Sequence, residues 1–174
     1  MVDVKTFDEF HLTDDPWDYE KNKDDIQRRN ILLEKLENYT FINALDIGCG
    51  QGFITRYIPS RNITGVDISN NAVEHAKRKN QNKNINFKKS SIFDLSTHSF
   101  KYDLIIINSL LYKSYVGNSK NLIYLIIDKL LESNGILISC HIIDWSRIVF
   151  PYFLIDEEIY QYRQFYHHLQ VYKK

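Results

Sequence analysis

The chain has 174 residues, 44% of them hydrophobic and 25% charged, which is enough apolar material for one domain with a proper core. Its 22 Lys and Arg balance 22 Asp and Glu, so no overall basic footprint marks it for nucleic acid. The chain has two cysteines, no apolar block near the N-terminus and no apolar run long enough for a bilayer; this argues against a disulfide-built secreted domain and against a membrane partner, and suits a reducing, cytoplasmic setting.

Residues 1–23 are polar with scattered aromatics and no periodicity, and read as an arm. Ile26, Ile31, Leu32, Leu33 and Leu36 make an apolar stripe that predicts a helix from Asp24 to Glu37. Residues 41–47 predict a first strand. A helix is expected over Gly52–Ile58, stopped by Pro59. Residues 62–67 predict a second strand, and 70–80 a helix with Ala72, Val73 and Ala76 turned inward. Asn84–Lys88 alternates as a short third strand. Tyr102–Asn108 is a continuous apolar run, the pattern of a central parallel strand buried on both faces. A helix over Ser119–Leu131, a turn at Asn134-Gly135 and a fifth strand over Gly135–His141 follow. This alternation predicts a single doubly wound, mostly parallel α/β sheet. Tyr166–Tyr172 suits a final strand. About thirty residues after the fifth strand are few for a helix and two full strands, so a shortened C-terminal antiparallel part, with one of those elements shrunken or missing, is expected.

The stretch Asn43-Ala44-Leu45-Asp46-Ile47-Gly48-Cys49-Gly50-Gln51-Gly52 carries the chemistry. An apolar strand ends in a carboxylate, and three glycines follow at every second position. Glycine permits φ > 0 and close backbone approach to a ligand. A dinucleotide turn wants G-x-G-x-x-G with pyrophosphate on its N–H groups. Here the third glycine comes one residue early, and Asp46 would repel a diphosphate but attract an ammonium or a sulfonium. The turn therefore suits a nucleoside bearing positive charge. Asp67 lies about 20 residues further on, where a ribose-binding acid is expected; two carboxylate oxygens can accept the two hydroxyls of a diol. Capping the helix that starts near Asn70 is the other role open to Asp67, although Ser69 is the better cap. Cys49 and Cys140 read as small fillers.

Leu45-Asp46-Ile47-Gly48-Cys49-Gly50-Gln51-Gly52, with Asp67 behind it, resembles the first motifs of the class I S-adenosylmethionine-dependent methyltransferases. The resemblance implies a Rossmann-like methyltransferase fold and S-adenosylmethionine as cofactor. It divides the single domain 1–174 into an N-terminal arm (1–23), a cofactor-binding core (24–143) and a short C-terminal segment (144–174). It also implies that Asp46, Gly48 and Gly50 face the methionine end, that Asp67 accepts the ribose hydroxyls with Ile68 on the adenine, and that Asp94 accepts from the adenine amino group with the Phe93 or Leu95 N–H nearby. Asn108 would sit by the transferring methyl. A turn-forming role for Asp94 and a loop-capping role for Asn108 stand beside these. Asp14-Asp15-Pro16-Trp17-Asp18-Tyr19, followed by Asp25-Ile26-Gln27-Arg28, is similar to the entry arm of the nodulation N-methyltransferases, which act on an amino sugar of a chitooligosaccharide; Asp24-Asp25 replaces their Tyr-Glu. That similarity places Trp17 over the pocket and Arg28 near the methionine carboxylate. Trp17 as an arm staple and Arg28 as an exposed helix charge are the alternatives.

Methyl transfer needs positioning and dryness, and a base only when the acceptor must lose a proton. His141 and Asp144 follow the fifth strand and Tyr112 and Tyr115 the fourth, so all four are expected on the ligand rim, with His11 of the arm. His141 and Tyr112 are the candidate catalytic pair, His141 for its near-neutral pKa; a structural role is the other possibility for it. His167 and His168 point to opposite faces of a strand, and no spacing suggests a metal. Asn108-Ser109-Leu110-Leu111 departs from the Asn-Pro-Pro-Tyr pattern of nucleic-acid amino methyltransferases. The acceptor expected is a small polar molecule such as an amino sugar, a nucleotide-linked sugar or another metabolite, methylated on nitrogen before oxygen. A nicotinamide-dependent oxidoreductase and a non-catalytic cofactor-binding subunit are the competing functions, and the tail aromatics allow a homodimer.

Overall fold

The computed structural model describes residues 4–146 and 148–174; residues 1–3 of the expected arm and Arg147 of the C-terminal segment lie outside the described residues. Five parallel strands, β1 (Phe41–Ile47), β2 (Ser60–Asp67), β3 (Ile85–Lys89), β4 (Tyr102–Asn108) and β5 (Leu131–Ile142), join an antiparallel hairpin, β6 (Phe153–Tyr162) and β7 (Phe165–Lys173). The sheet order is β3-β2-β1-β4-β5-β7-β6. The order reverses between β1 and β4, so the crevice at their C-terminal ends is the switch point where such sheets bind ligands.

Helices cover both faces. On one side α2 (Lys23–Glu34) packs Ile31 and Leu32 on Ala44, Leu104, Ile106 and Ile138; on the other α5 (Lys120–Leu130) packs Ile123, Ile127 and Leu130 on Leu45, Ile105, Ile107 and Leu137. The apolar run of β4 is thus split residue by residue between two cores, as a strand buried on both faces requires. α3 (Asn70–Lys79) starts at Ser69, whose hydroxyl accepts from the Ala72 N–H at 3.2 Å and caps it. A first helix, α1 (Val4–Phe10), and a one-turn helix, α4 (Lys113–Val116), complete the set.

Three elements differ from expectation. The helix awaited over Gly52–Ile58 is a single 3₁₀ turn at Thr55–Tyr57. Gly48, Gly50 and Gly52 hold φ of 78°, 53° and 80°, which no right-handed helix admits, and Pro59 closes the segment from the other end. The turn at Asn134-Gly135 is a bulge within β5: the register with β4 jumps between the Tyr102–Leu131 and Leu104–Ile136 pairs, and Asn134 takes φ 66°. In the C-terminal stretch the missing element is the helix. Residues 143–152 hold no regular element where described, while β6 and β7 run for 10 and 9 residues. No described helix is long and apolar enough to cross a membrane.

The arm is ordered and lies across the crevice. Asp8 accepts from the Ser69 hydroxyl at 2.7 Å and the Asn71 N–H at 3.3 Å at the start of α3. Asp15 accepts from Gln51 at 2.7 Å, and Glu20 receives Arg56 on both oxygens at 2.7 Å. Asp14 pairs with His75 and Arg78 of α3.

Candidate active site

A cavity of about 370 Å³ opens at the C-terminal ends of β1, β2 and β4, roofed by the arm and flanked by the β6–β7 hairpin. Trp17, Arg28, Asp46, Gly48, Gly50, Asp67, Ile68, Phe93, Asn108 and Tyr112 all line it.

Gly50 leaves open space where a Cβ would stand, whereas a Cβ on Gly52 would come within 2.9 Å of the Phe87 ring. One glycine thus faces the cavity bare and the other packs against β3. Asp46 is 4% exposed and accepts from the Thr55 hydroxyl at 2.6 Å. Burial lifts its pKa from 3.8 to about 6; Thr55 opposes the rise and the Asp67 charge adds to it. Asp67 accepts the Gly50 N–H on Oδ2 at 2.8 Å and the Ser69 N–H on Oδ1 at 2.9 Å, so each oxygen keeps a lone pair for a further donor. Burial raises its pKa, against the pull of those two N–H groups and of His11. Two carboxylates in one dry cleft form a ready receptor for positive charge.

Across the cavity, Asn108 Oδ1 is buried with no hydrogen-bond partner among the described residues. An orphaned buried acceptor costs free energy, and a donor on a bound ligand would satisfy it. Arg28 is 3% exposed, pairs with Asp25 at 2.9 Å, donates to Ser109 Oγ at 3.3 Å and lies over the rings of Tyr19 and Tyr162. Burial opposes its charge, but Tyr19, Tyr162 and Asp25 outweigh that and its pKa rises. Trp17 lines the cavity and is also a staple: it stacks on Tyr19, which stacks on Phe53.

Three sequence-expected site residues are corrected. His141 does not reach the rim. It is 5% exposed, its Nε2 accepts the Leu111 N–H at 3.1 Å, and its Nδ1 therefore carries the proton toward Ser139 Oγ at 3.2 Å. Burial drops its pKa to about 3, so it is a neutral packing residue and not a base poised at neutrality. Leu95 is fully buried in the α5-side core and not in the cavity wall. Asp94 is exposed and closes a turn, its Oδ2 accepting the Ser91 N–H at 2.8 Å and its own N–H donating to Ser91 Oγ at 3.2 Å. Ser90, Ser91 and Ile92 stand in the wall instead. Asp144 is exposed outside the wall, while His11 and Tyr115 line it.

Tyr112 is buried, and its hydroxyl accepts the Ile142 N–H at 3.2 Å. It begins an aromatic wall continued by Tyr115 and Trp145, with ring centroids 5.5 and 5.4 Å away, and by Phe165 beyond Trp145 at 4.9 Å. Trp145, Arg163 and Phe165 entered the site without a sequence signal; they come from a loop and a hairpin that meet the arm only in three dimensions. Burial and the charges of Asp67 and Asp46 push the Cys49 thiol well up in pKa, which leaves it an inert filler in the turn. Among the described residues no group of three or more His, Cys, Asp or Glu side chains is arranged to hold a metal.

Fold, switch-point crevice, glycine turn and paired acids together define the class of S-adenosylmethionine-dependent methyltransferases. Residues 40–170 match the family model described as "Methyltransferase domain", and the chain belongs to that family. It is 40% identical over 73 residues to the release factor glutamine methyltransferase of Fusobacterium nucleatum, covering 38% of this chain and 21% of that protein. It is 31% identical over 86 residues to the malonyl-[acyl-carrier protein] O-methyltransferase of Acetivibrio thermocellus, covering 46% of this chain and 30% of that protein. The chain thus spans less than a third of the length of these curated relatives. Among solved structures, the N-methyltransferase NodS of Bradyrhizobium japonicum WM9 in complex with S-adenosyl-L-homocysteine superposes with a TM-score of 0.81 at 18% identity, over 98% of this chain and 97% of that one. The magnesium protoporphyrin IX methyltransferase of Synechocystis PCC 6803 with bound S-adenosylmethionine gives 0.74 at 17% identity, over 100% and 98%. At these identities the likeness is one of fold.

Proposed function

We propose that this protein transfers a methyl group from S-adenosylmethionine to a nitrogen of a small polar acceptor, with an amino sugar or nucleotide-linked sugar as the favoured class. The observation that carries the cofactor assignment is the pair of buried carboxylates, Asp46 and Asp67, around a turn of three positive-φ glycines, facing the unpaired Asn108 oxygen. When bound, the cofactor supplies a methyl group already activated on a sulfonium. Asp46 and Asn108 Oδ1 receive its ammonium, Arg28 its carboxylate, and the two Asp67 oxygens its ribose hydroxyls. Ile68, Ser91, Ile92 and Phe93, which line the same part of the wall, would hold the adenine. Asp94 has no part in this, because its carboxylate is engaged by Ser91.

Tyr112, Tyr115, Trp145 and Phe165 form the acceptor wall, and Tyr112 orients the acceptor. Those four side chains include no carboxylate and no imidazole, His141 is sealed behind them, and the imidazole that does line the cavity, His11, stands on the arm. An amine that arrives neutral attacks with its own lone pair and needs no base, whereas an alcohol would need one; this supports nitrogen. The likeness of the Asp15-Pro16-Trp17 arm to that of the nodulation enzymes supports a sugar amine. Residues 24–143 would be the cofactor-binding core of a single domain, with 1–23 as its roof and 144–174 as the acceptor-side wall. Exposed Phe153, Ile159 and Tyr166 on the hairpin support a homodimer, which sedimentation velocity tests.

Two measurements decide the reading. Thermal melting with millimolar S-adenosylmethionine should raise the midpoint by mass action, and an unchanged midpoint removes the cofactor assignment. Incubation with methyl-labelled cofactor and a panel of amino sugars, neutral sugars and peptides should label the amino sugars. Labelling of the peptides alone overturns the acceptor class.

A further inference from the structure

The β6–β7 connection has two residues, Arg163 and Gln164, and Arg163 holds φ 54°. A two-residue hairpin loop with positive φ at its first residue calls for Gly, which bears no Cβ to crowd. Strain of this kind persists where surrounding contacts over-determine it and points to a use for the side chain. The contacts are here. Arg163 Nη2 donates to Asp25 Oδ2 at 2.6 Å and to the Trp17 carbonyl at 3.0 Å. Asp25 is fully buried, and its other oxygen accepts Tyr162 Oη at 2.8 Å and Arg28 Nη2 at 2.9 Å. Arg28 in turn reaches Ser109 after β4. One guanidinium therefore ties the arm to the hairpin and, through Asp25, to the arginine that faces the cavity.

We propose that Arg163 is a positioning residue: it holds the arm shut over the cofactor cavity and, through Asp25, sets the aim of Arg28. This rests on reading the cavity as the S-adenosylmethionine site. Arg163 also borders the cavity, and the role assigned to it is its hold on the arm and on Arg28. Its effect is exerted through Trp17 and Arg28, which line the cavity. Gly would satisfy the turn better, so Arg stands there for its side chain.

The test uses the full chain with Arg163→Gly and Arg163→Lys. Arg163→Gly should fold and melt close to wild type, because the relaxed turn offsets the lost ion pair and Asp25 keeps Tyr162 and Arg28. It should bind S-adenosylmethionine about tenfold more weakly in calorimetry, the weight of one charged hydrogen bond. Trypsin should cut it faster at Lys21, the exposed lysine between Trp17 and α2, and Arg163→Lys should recover most of both losses. Wild-type affinity together with wild-type resistance at Lys21 in Arg163→Gly overturns the proposal. Should Arg163→Gly fail to fold, Arg163→Gln, which removes the charge, carries the same comparison, with faster cleavage at Lys21 expected and an unchanged rate refuting. If the wild type binds no S-adenosylmethionine, the cofactor reading falls, while the cleavage rates of the unliganded proteins still decide whether Arg163 clamps the arm.

Discussion

Asp46→Asn should make the unliganded protein more stable and the cofactor bind less well. Asp46 is forced to share a dry cleft with Asp67, and its pKa rises from the ordinary 3.8 to about 6 through burial, less the help of Thr55 and with a further push from the Asp67 charge. An acid whose pKa is raised on folding favours the folded state while it is protonated and weakens it once ionised. The cost is therefore absent below pH 3.8, grows between 3.8 and about 6, and is complete at neutrality. At 1.36 kcal/mol for each pH unit between those two values, it amounts to about 3 kcal/mol. Asn keeps the shape and an oxygen for the Thr55 hydroxyl and removes the charge. For a domain of this size each kcal/mol moves the midpoint by about 2–4 °C, so the variant should melt about 6–12 °C above wild type at pH 7, with the gap closing near pH 4. S-adenosylmethionine affinity should fall by at least about tenfold, since a charged hydrogen bond contributes about 1.5–3 kcal/mol. Scanning calorimetry at both pH values and titration calorimetry at pH 7 measure the two effects. A variant that melts no higher at pH 7 and binds as tightly as wild type would refute the claim that this carboxylate is held for a cation.

Three further outcomes follow from the site. Asp67→Ala should weaken S-adenosylmethionine binding by about 1.5–3 kcal/mol with α3 still capped by Ser69; unchanged affinity in titration calorimetry would reduce Asp67 to a backbone anchor. His141→Ala should cost about 1–3 kcal/mol in urea unfolding, because the Leu111 N–H loses its acceptor, and leave the shape of the pH profile of turnover as it is in the wild type from 6 to 8. The imidazole itself, depressed by burial from 6.5 to about 3, stabilises the fold fully above pH 6.5 and progressively less as the pH falls toward 3; the Ala variant should lack that part of the acid sensitivity. Asp94→Ala should loosen the Ser91 turn while changing cofactor affinity less than about threefold, and a larger loss would restore Asp94 to the adenine site.

β1 and β4 fall on the residues the apolar runs marked, 41–47 and 102–108, because a strand buried on both faces has no freedom to be polar. The glycine turn and Asp67 were legible for a related reason: backbone at positive φ and a carboxylate at a strand tip leave a compact local pattern. The helix after the turn was not, since periodicity over seven residues cannot reveal that three glycines deny it a start. His141 shows a different limit. Its place at the end of β5 was read correctly, but in a strand covered on both faces alternation does not say which side chain meets the cavity. The Asp25–Tyr162 contact joins residues 137 positions apart, and a buried ion cluster assembled over that distance has no local signature. Family resemblance alone drew attention to Arg28.

As the last strand in the sheet order, β6 is a long border, with Phe153 79% and Ile159 60% exposed. Such a border invites molecules to add to one another strand upon strand. Midway along it stand three consecutive acids, Asp156, Glu157 and Glu158; Lys35 steadies the first and third and His168 the second. A second molecule docking there in antiparallel register would meet the same acids head-on. Like charges there weigh against pairing of two molecules along the β6 edge, and replacing the triplet with neutral residues should make such edge-to-edge filaments easier to form.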